Sequence, residues 1–200
     1  MELKSKKDKL SYAVGIQIGG NLMQSGFQDM DTELLVKGIK DVLDKSDLLM
    51  PIDDVMTVIN ESYKEFQSKS EKENAAAGSK FLEENKKKEG VVSLASGLQY
   101  RIVKEGSGPK PSASDTVTTH YEGKTIDGRV FDSSFERGEP ASFPVNGVIA
   151  GWTEALQLMS VGSVYELFIP SELAYGKQGA GAEIAPNSTL IFVVELLEIS

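Results

Sequence analysis

Cysteine is absent from this 200-residue chain, and histidine occurs once, at His120. The first absence excludes disulfides, thiol nucleophiles and Cys-based zinc sites. The second excludes a His-rich metal site and obliges any Ser-His-Asp triad to use His120. Long apolar runs are missing too. None approaches the ~20 residues that span a bilayer, so no membrane span is expected. Positive charge is scarce: 21 Lys and Arg stand against 30 Asp and Glu, a net charge of −9. That works against a nucleic-acid surface, which needs clustered Lys and Arg to displace counterions. The basic start MELKSKKDK is not followed by the apolar stretch of about 7–15 residues that a secretory signal requires. A cytoplasmic protein is therefore expected, or a periplasmic or outer-surface one if a leader has been removed.

What is present is ordinary for a globular protein, with 40% hydrophobic and 26% charged residues. The composition changes after Glu89. Residues 1–89 carry a net −3, with 6 of the 19 Gly and 1 of the 7 Pro. Residues 90–200 carry a net −6, with the other 13 Gly, 6 Pro and 10 of the 15 aromatics. Helix breakers and aromatics gather where strands and turns belong. An α-helical first domain and a β-rich second one are expected.

In the first part the apolar spacing is helical. Leu10, Val14, Ile18 and Leu22 repeat every four residues. Leu35, Ile39 and Val42 follow Asp31, a good N-cap, with Glu33 in the first turn. Pro51 suits the first turn of a third helix, and Asp53 and Asp54 favour its positive end. Ile52, Val55, Met56, Ile59, Tyr63 and Phe66 form one stripe. No proline interrupts the following polar stretch, so this helix is expected to run from Pro51 to Glu89, with Gly90 as its stop and Gly78 as a weak point. At ~1.5 Å per residue it would be a rod of roughly 58 Å. The alternative is a helix that ends near Ser70, followed by a polar linker. Two short helices and the first half of the third, ~60 residues, bury little core alone, so their stripes would gain most against a second copy. The G-x-x-x-G spacing of Gly15 and Gly19 reads as close packing. Asn60-Glu61-Ser62 and Asn187-Ser188-Thr189 match a glycosylation pattern too common to weigh.

From Ser96 the pattern is that of strands. Leu98, Tyr100 and Ile102 alternate with polar neighbours, and Thr116 to Glu122 is β-branched and alternating. Asp127-Gly128 marks a hairpin. Ser163–Ile169 and Thr189–Ile199 read as two more strands. Residues 151–160 have helix character, with Ala155, Leu156 and Met159 inward. An antiparallel sheet on one short helix follows. His120 should face away from Tyr121, as a structural residue.

Several motifs stand in order: HYEG at 120–123, DGRVFDSSFERGEP at 127–140, SFPVNGVIAGW at 142–152, VGSVYELFIPSELAYG at 161–176 and IAPNSTLIFVVELLEI at 184–199. This run closely resembles the FKBP-type peptidyl-prolyl cis-trans isomerases and covers residues 96–200. The first part looks like the helical dimerisation domain of the bacterial subfamily that includes macrophage infectivity potentiator. The resemblance implies an α+β chain: an all-α dimerisation domain at 1–70, a linker at 71–93 that continues the long helix to about 89, and an isomerase domain at 94–200. In that second domain an antiparallel sheet wraps around a short helix.

The resemblance also implies roles. Trp152 is the apolar floor of a pocket. Tyr121, Phe131, Val148, Ile149, Ile184 and Phe192 are its walls, and Asp132, Arg137 and Tyr175 its polar rim. Asp132, Tyr175 and Trp152 are the expected catalytic groups. The Ile149 N–H and the Tyr175 hydroxyl would bond ligand carbonyls, and a loop from Leu173 to Pro186 would overhang the site. Asp132 and Arg137 also read as a structural ion pair. Ala141, Ala150 and Ala185 depart from common family residues, which bears on substrate preference and inhibitor affinity. No metal and no cofactor is implied. The implied partners are proline-containing protein clients, macrolides of the rapamycin type as inhibitors, and a second copy bound through residues 1–70, with folding-chaperone action by the dimer. The alternative is a non-catalytic protein-binding module with the same fold.

Rotation about a peptide bond makes and breaks no covalent bond, which suits a chain with no Cys and one His. Its barrier is ~18–20 kcal/mol because rotation destroys amide resonance. Shortening ~100 s to ~10 ms is a factor of ~10⁴, or roughly 5.5 kcal/mol. An apolar aromatic pocket disfavours the dipolar planar imide relative to its twisted form. Hydrogen bonds that strengthen on twisting add ~1–3 kcal/mol each.

Overall fold

The structure, a computed structural model, describes every residue except Met1, Gln28 and Ala182, and the side chain of Gln24. Met1 and Gln28 of the 1–70 stretch and Ala182 of the expected loop thus lie outside the described residues. The chain divides into two compact units, Met1–Ser68 and Lys69–Ser200.

The first unit is helical. Helix α1, Lys6–Gln24, opens on a capping box: the Ser5 hydroxyl accepts from the Asp8 N–H at 3.1 Å, and the Asp8 carboxylate accepts from the Ser5 N–H at 2.8 Å. These bonds hold the Asp8 carboxyl below its usual range. Helix α2, Thr32–Asp44, is capped by Asp31, which accepts from Glu33 and Leu34 N–H. It ends at Lys45 in the left-handed region, φ 54°. Helix α3, Ile52–Asn85, starts one residue after Pro51. Phe27 packs on Tyr63 with ring centroids 6.4 Å apart, and Phe66 fills the space beside Gly26.

The apolar stripes of this unit are not covered. Leu10 is 65% exposed, Val42 69% and Met56 61%. Asp41, held by Lys37 at 2.6 Å, is the one buried residue among the described residues of α1 and α2.

The second unit is an antiparallel sheet. Its strands are β1 (Val91–Ser93), β2 (Gln99–Lys104), β3 (Thr116–Thr125), β4 (Val130–Ser133), β5 (Ala141–Pro144), β6 (Val164–Ile169) and β7 (Leu190–Ile199). The order is β1-β2-β6-β7-β3-β4. One edge of the long β3 is paired along its length by β7; the other is shared, with β5 on Thr116–Thr119 and β4 on Glu122–Lys124. Between those two strands lies the one-turn helix α4, Ser134–Arg137. Helix α5, Ala150–Leu156, buries Gly151, Trp152, Ala155 and Leu156. The core joins this helix to Leu98, Val117, Leu167, Ile169, Leu190, Val194 and Leu196.

The hairpin at Asp127-Gly128 forms as expected, with Gly128 at φ 91° and the Thr125 N–H donating to the Arg129 carbonyl at 3.0 Å. Helix α5 is shorter than the 151–160 stretch expected and ends at Leu156; tight turns carry the chain through the buried Met159. The short β1 and β5 carry too few residues to show alternation. Pro144 is tolerated in β5 because that strand pairs with β3 alone.

Helix α3 passes through Ser70, so the alternative break there does not occur. It stops at Asn85, four residues short of Glu89, for a tertiary reason. Asn85 is fully buried and donates to the Gln99 side chain at 3.0 Å, while Gln99 donates to the Leu82 carbonyl at 3.0 Å. Phe81 packs against Phe168 with ring centroids 6.0 Å apart and the rings tilted by 50°. The 71–85 stretch, expected as linker, therefore packs as part of the second unit. Gly78 is not a weak point but a contact, since a Cβ there would collide with the Thr189 hydroxyl. Gly78→Ala should lower the stability of the second unit by about 1–3 kcal/mol, with partial rescue by Thr189→Ala, as read by thermal denaturation.

Candidate functional site

A cleft of about 430 Å³ opens between β3, β4, β5 and α5, lined by Tyr121, Phe131, Asp132, Phe143, Gly147, Val148, Ile149, Trp152, Tyr175 and Phe192. The sequence alternation of β3 points Tyr121 and Gly123 inward together. Gly123 has to be glycine. A Cβ there would lie 2.6 Å from Phe192 and 2.7 Å from Phe131, so its absence lets those rings close over the strand.

Trp152, 4% exposed, is the floor. Three rings meet it edge to face: Tyr121 at 5.3 Å, Phe192 at 5.4 Å and Phe143 at 5.8 Å, with interplanar angles of 83–87°. Phe131 meets Phe192 in the same manner at 5.6 Å. Aromatic pairs in this geometry each gain ~0.5–1.5 kcal/mol beyond burial, so the floor is stiff as well as apolar.

The polar wall is a three-membered network. The Tyr121 hydroxyl donates to Asp132 Oδ2 at 2.5 Å. Arg137 Nη2 donates to that hydroxyl at 2.9 Å, and Arg137 Nη1 pairs with Asp132 Oδ1. The guanidinium also lies 5.5 Å from the Tyr121 ring centroid. Burial, then the bond to Asp132, pushes the Tyr121 phenol above its usual 10. The phenol is thus neutral throughout the physiological range. The hydroxyl proton that Tyr121 donates to Asp132 is lost only as pH rises through the raised value. A kcat/KM profile should accordingly show no inflection from this group between about pH 6 and 9. Ultraviolet titration should place Tyr121 among the last phenols to ionise, and Tyr121→Phe should remove that step.

Below the network, the fully buried Ser134 hydroxyl accepts from the Tyr121 N–H at 2.7 Å and also reaches His120 Nδ1 at 3.0 Å. His120 stacks on Phe135 at 4.8 Å, on the face away from the cleft. Two further donors stand open. The Ile149 N–H and the Tyr175 hydroxyl donate to no group among the described residues. Ile149 ends an extended segment (φ −59°, ψ 149°), and its carbonyl starts α5 by accepting from Trp152 and Thr153. That leaves its N–H facing outward from the helix start. Tyr175 lies 39% exposed at the cleft mouth.

Most of the expected residues come together here: Tyr121, Phe131, Asp132, Val148, Ile149, Trp152, Tyr175 and Phe192 all line the cleft. Two do not. Ile184 is 6% exposed and belongs to the core, where it bridges back to Ala180 within the loop. Arg137 is bonded to Asp132 and to the Tyr121 hydroxyl but is not itself a lining residue. Phe143 and Gly147 line the cleft without having been expected. The only signal for Phe143 is its alternation with Ala141 in ASFPVNG at 141–147, which four strand residues barely show. No group of three or more His, Asp or Glu that could hold a metal occurs among the described residues. Nor is any described helix long and apolar enough to cross a membrane.

Residues 108–197 match the FKBP-type peptidyl-prolyl cis-trans isomerase family, and residues 7–102 match the domain amino terminal to FKBP-type peptidyl-prolyl isomerase. The FKBP-type 22 kDa peptidyl-prolyl cis-trans isomerase of Escherichia coli K12 is 53% identical over 192 residues, covering 94% of this chain and 93% of that protein. The outer membrane protein MIP of Legionella longbeachae is 45% identical over 205 residues, covering 98% and 87%. The crystal structure of FkpA from Escherichia coli matches with a TM-score of 0.72 at 38% identity, covering 100% of this chain and 99% of that one.

Proposed function

The chain belongs to the FKBP-type peptidyl-prolyl cis-trans isomerases and is an enzyme of that kind, and from that premise we propose that its X-Pro substrate seats the proline ring on Trp152. The observation that carries this reading is an aromatic-floored cleft with two unengaged donors at its mouth, the Ile149 N–H and the Tyr175 hydroxyl. Phe131, Phe143, Val148 and Phe192 exclude water from the imide, so the planar, more dipolar ground state loses solvation that the twisted form needs less. The Ile149 N–H holds one flanking carbonyl and thereby fixes the axis of rotation. The Tyr175 hydroxyl holds a second, and a bond that shortens as the imide twists lowers the barrier. Asp132 faces the rotating carbonyl. Tyr121 and Arg137 hold its carboxylate in place, so its charge is oriented before substrate arrives. Two or three such bonds at ~1–3 kcal/mol, with the desolvated floor, reach the roughly 5.5 kcal/mol required. The same cleft is the proposed seat of macrolides of the rapamycin type.

Residues 1–70 are proposed as a dimerisation domain, because among the described residues much of their apolar stripes stays exposed. A dimer would bring two isomerase domains to one client and hold it by avidity, giving folding-chaperone action. The full chain and the second unit alone, Lys69–Ser200 with its portion of α3 retained, should therefore isomerise a tetrapeptide at equal rates. On a refolding protein limited by proline isomerisation, the full chain should be at least about tenfold better. Equal rates on both substrates would remove the avidity reading and leave the cleft assignment standing. The alternative of a non-catalytic module finds no support in the comparisons, whose relatives include proteins named as peptidyl-prolyl cis-trans isomerases. The cytoplasmic expectation draws none either, since one relative is called an outer membrane protein. Fractionation of the native host decides the compartment, and recovery in the periplasmic fraction would replace the cytoplasmic reading.

A further inference from the structure

The Asn187-Ser188-Thr189 triplet, a glycosylation-type pattern in the sequence, does different work in the fold. Asn187 occupies the left-handed region at φ 56°. Its backbone N–H donates to the Gly176 carbonyl at 2.8 Å, and its side-chain Nδ2 donates to the Glu71 carbonyl of α3 at 3.2 Å. One residue earlier, the Pro186 carbonyl accepts from Asn74 Nδ2, also on α3, at 2.9 Å. Ser188 Oγ closes the turn onto the Ala185 carbonyl at 2.7 Å, and the Thr189 hydroxyl lies in the space left by Gly78. Two asparagine amides therefore tie the stem of the 173–186 loop to the helix. The same Asn187 that grips α3 also holds Gly176, the residue next to Tyr175.

Tyr175 itself sits outside regular structure, at φ −103° and ψ 0°, between two short 3₁₀ turns. Among the described residues its hydroxyl has no partner, so only the backbone of the loop fixes where that donor stands. We propose that Asn187 and Asn74 are positioning residues for the isomerase reaction: they make α3 a splint behind the loop and thereby set the Tyr175 hydroxyl over the cleft. The proposal rests on Tyr175 as a substrate-bonding group. It assigns the second-unit portion of α3 a part in catalysis.

The test is a double-mutant cycle on the full chain, read as kcat/KM on a proline tetrapeptide. Asn187→Gly keeps the left-handed backbone and the N–H to Gly176 while it removes the amide. Asn74→Ala removes the second tie and serves alone should the first variant fail to fold. Each should lower kcat/KM about three- to tenfold, and Tyr175→Phe should do the same in the native background. In either asparagine background Tyr175→Phe should then cost less than about twofold, because the hydroxyl is already misplaced. Equal Tyr175→Phe factors in all backgrounds would overturn the positioning role while leaving the site intact. Full activity of both asparagine variants would do the same. A Tyr175→Phe variant with native activity would overturn the site role of Tyr175, and the proposal with it.

Discussion

Trp152→Leu should lower kcat/KM about 30- to 100-fold, the equivalent of roughly 2–3 kcal/mol of lost barrier reduction. The substitution removes the surface on which the proline ring rests and the edge-to-face contacts that hold Tyr121, Phe143 and Phe192 in place. Fold loss is separable from site loss. The core beyond the floor keeps Leu98, Leu156, Met159, Leu167 and Ile169, each fully buried. The variant should therefore remain folded by circular dichroism, with a lowered thermal midpoint. Trp152→Phe, which keeps an aromatic floor, should retain more activity than the leucine variant. Trp152 is also the sole tryptophan, so its emission reports occupancy of the cleft directly. A proline peptide or macrolide should shift it, and saturation of that shift gives the affinity of the cleft independently of turnover.

Val42→Glu combined with Met56→Glu should convert a dimer into a monomer. Both side chains are more than 60% exposed in the single chain, so charge there costs the isolated fold little. In an apolar interface the same carboxylates would be stripped of water, at several kcal/mol each. Two such sites per protomer raise the dissociation constant by about 10⁴-fold or more. Equilibrium sedimentation at micromolar concentration should give twice the chain mass for the native protein and the chain mass for the variant. Tetrapeptide activity should be unchanged in the variant and activity on a refolding protein largely lost. A native protein that sediments at the chain mass would reject dimerisation through residues 1–70.

Local chemistry explains which parts of this molecule could be read ahead of the structure. The Ser5–Asp8 capping box, the Asp31 cap, the Asp127-Gly128 turn and the alternation of β3 all act over a few residues, and patterns of that reach survive in sequence. The end of α3 does not, because it depends on a bond from Asn85 to Gln99, fourteen residues on. The triplet at 187–189 looked like a surface modification pattern for the same reason: its partners, Glu71 and Gly78, lie more than a hundred residues upstream. In the cleft, family resemblance supplied the residue types, and Phe143 was overlooked because a four-residue strand barely shows its alternation. Arg137 and Ile184 are not among the residues that line the cleft. A charged rim residue that grips a neighbour, and an isoleucine that folds back under a loop, look the same in sequence as residues that line a pocket. The apolar stripes of α1 to α3 were plain from their spacing. That much of their surface stays exposed among the described residues is a fact of the structure.

The central claim is that burial on Trp152, with a hydrogen bond from Tyr175, lowers the barrier to X-Pro rotation. The most direct test is a protease-coupled tetrapeptide assay of the full chain beside the Trp152→Leu/Tyr175→Phe double variant, with folding of both verified. The account predicts rapid conversion of the cis population by the native protein and a rate close to the uncatalysed one, tens to hundreds of seconds, with the double variant. A folded double variant that isomerises at the native rate would contradict it.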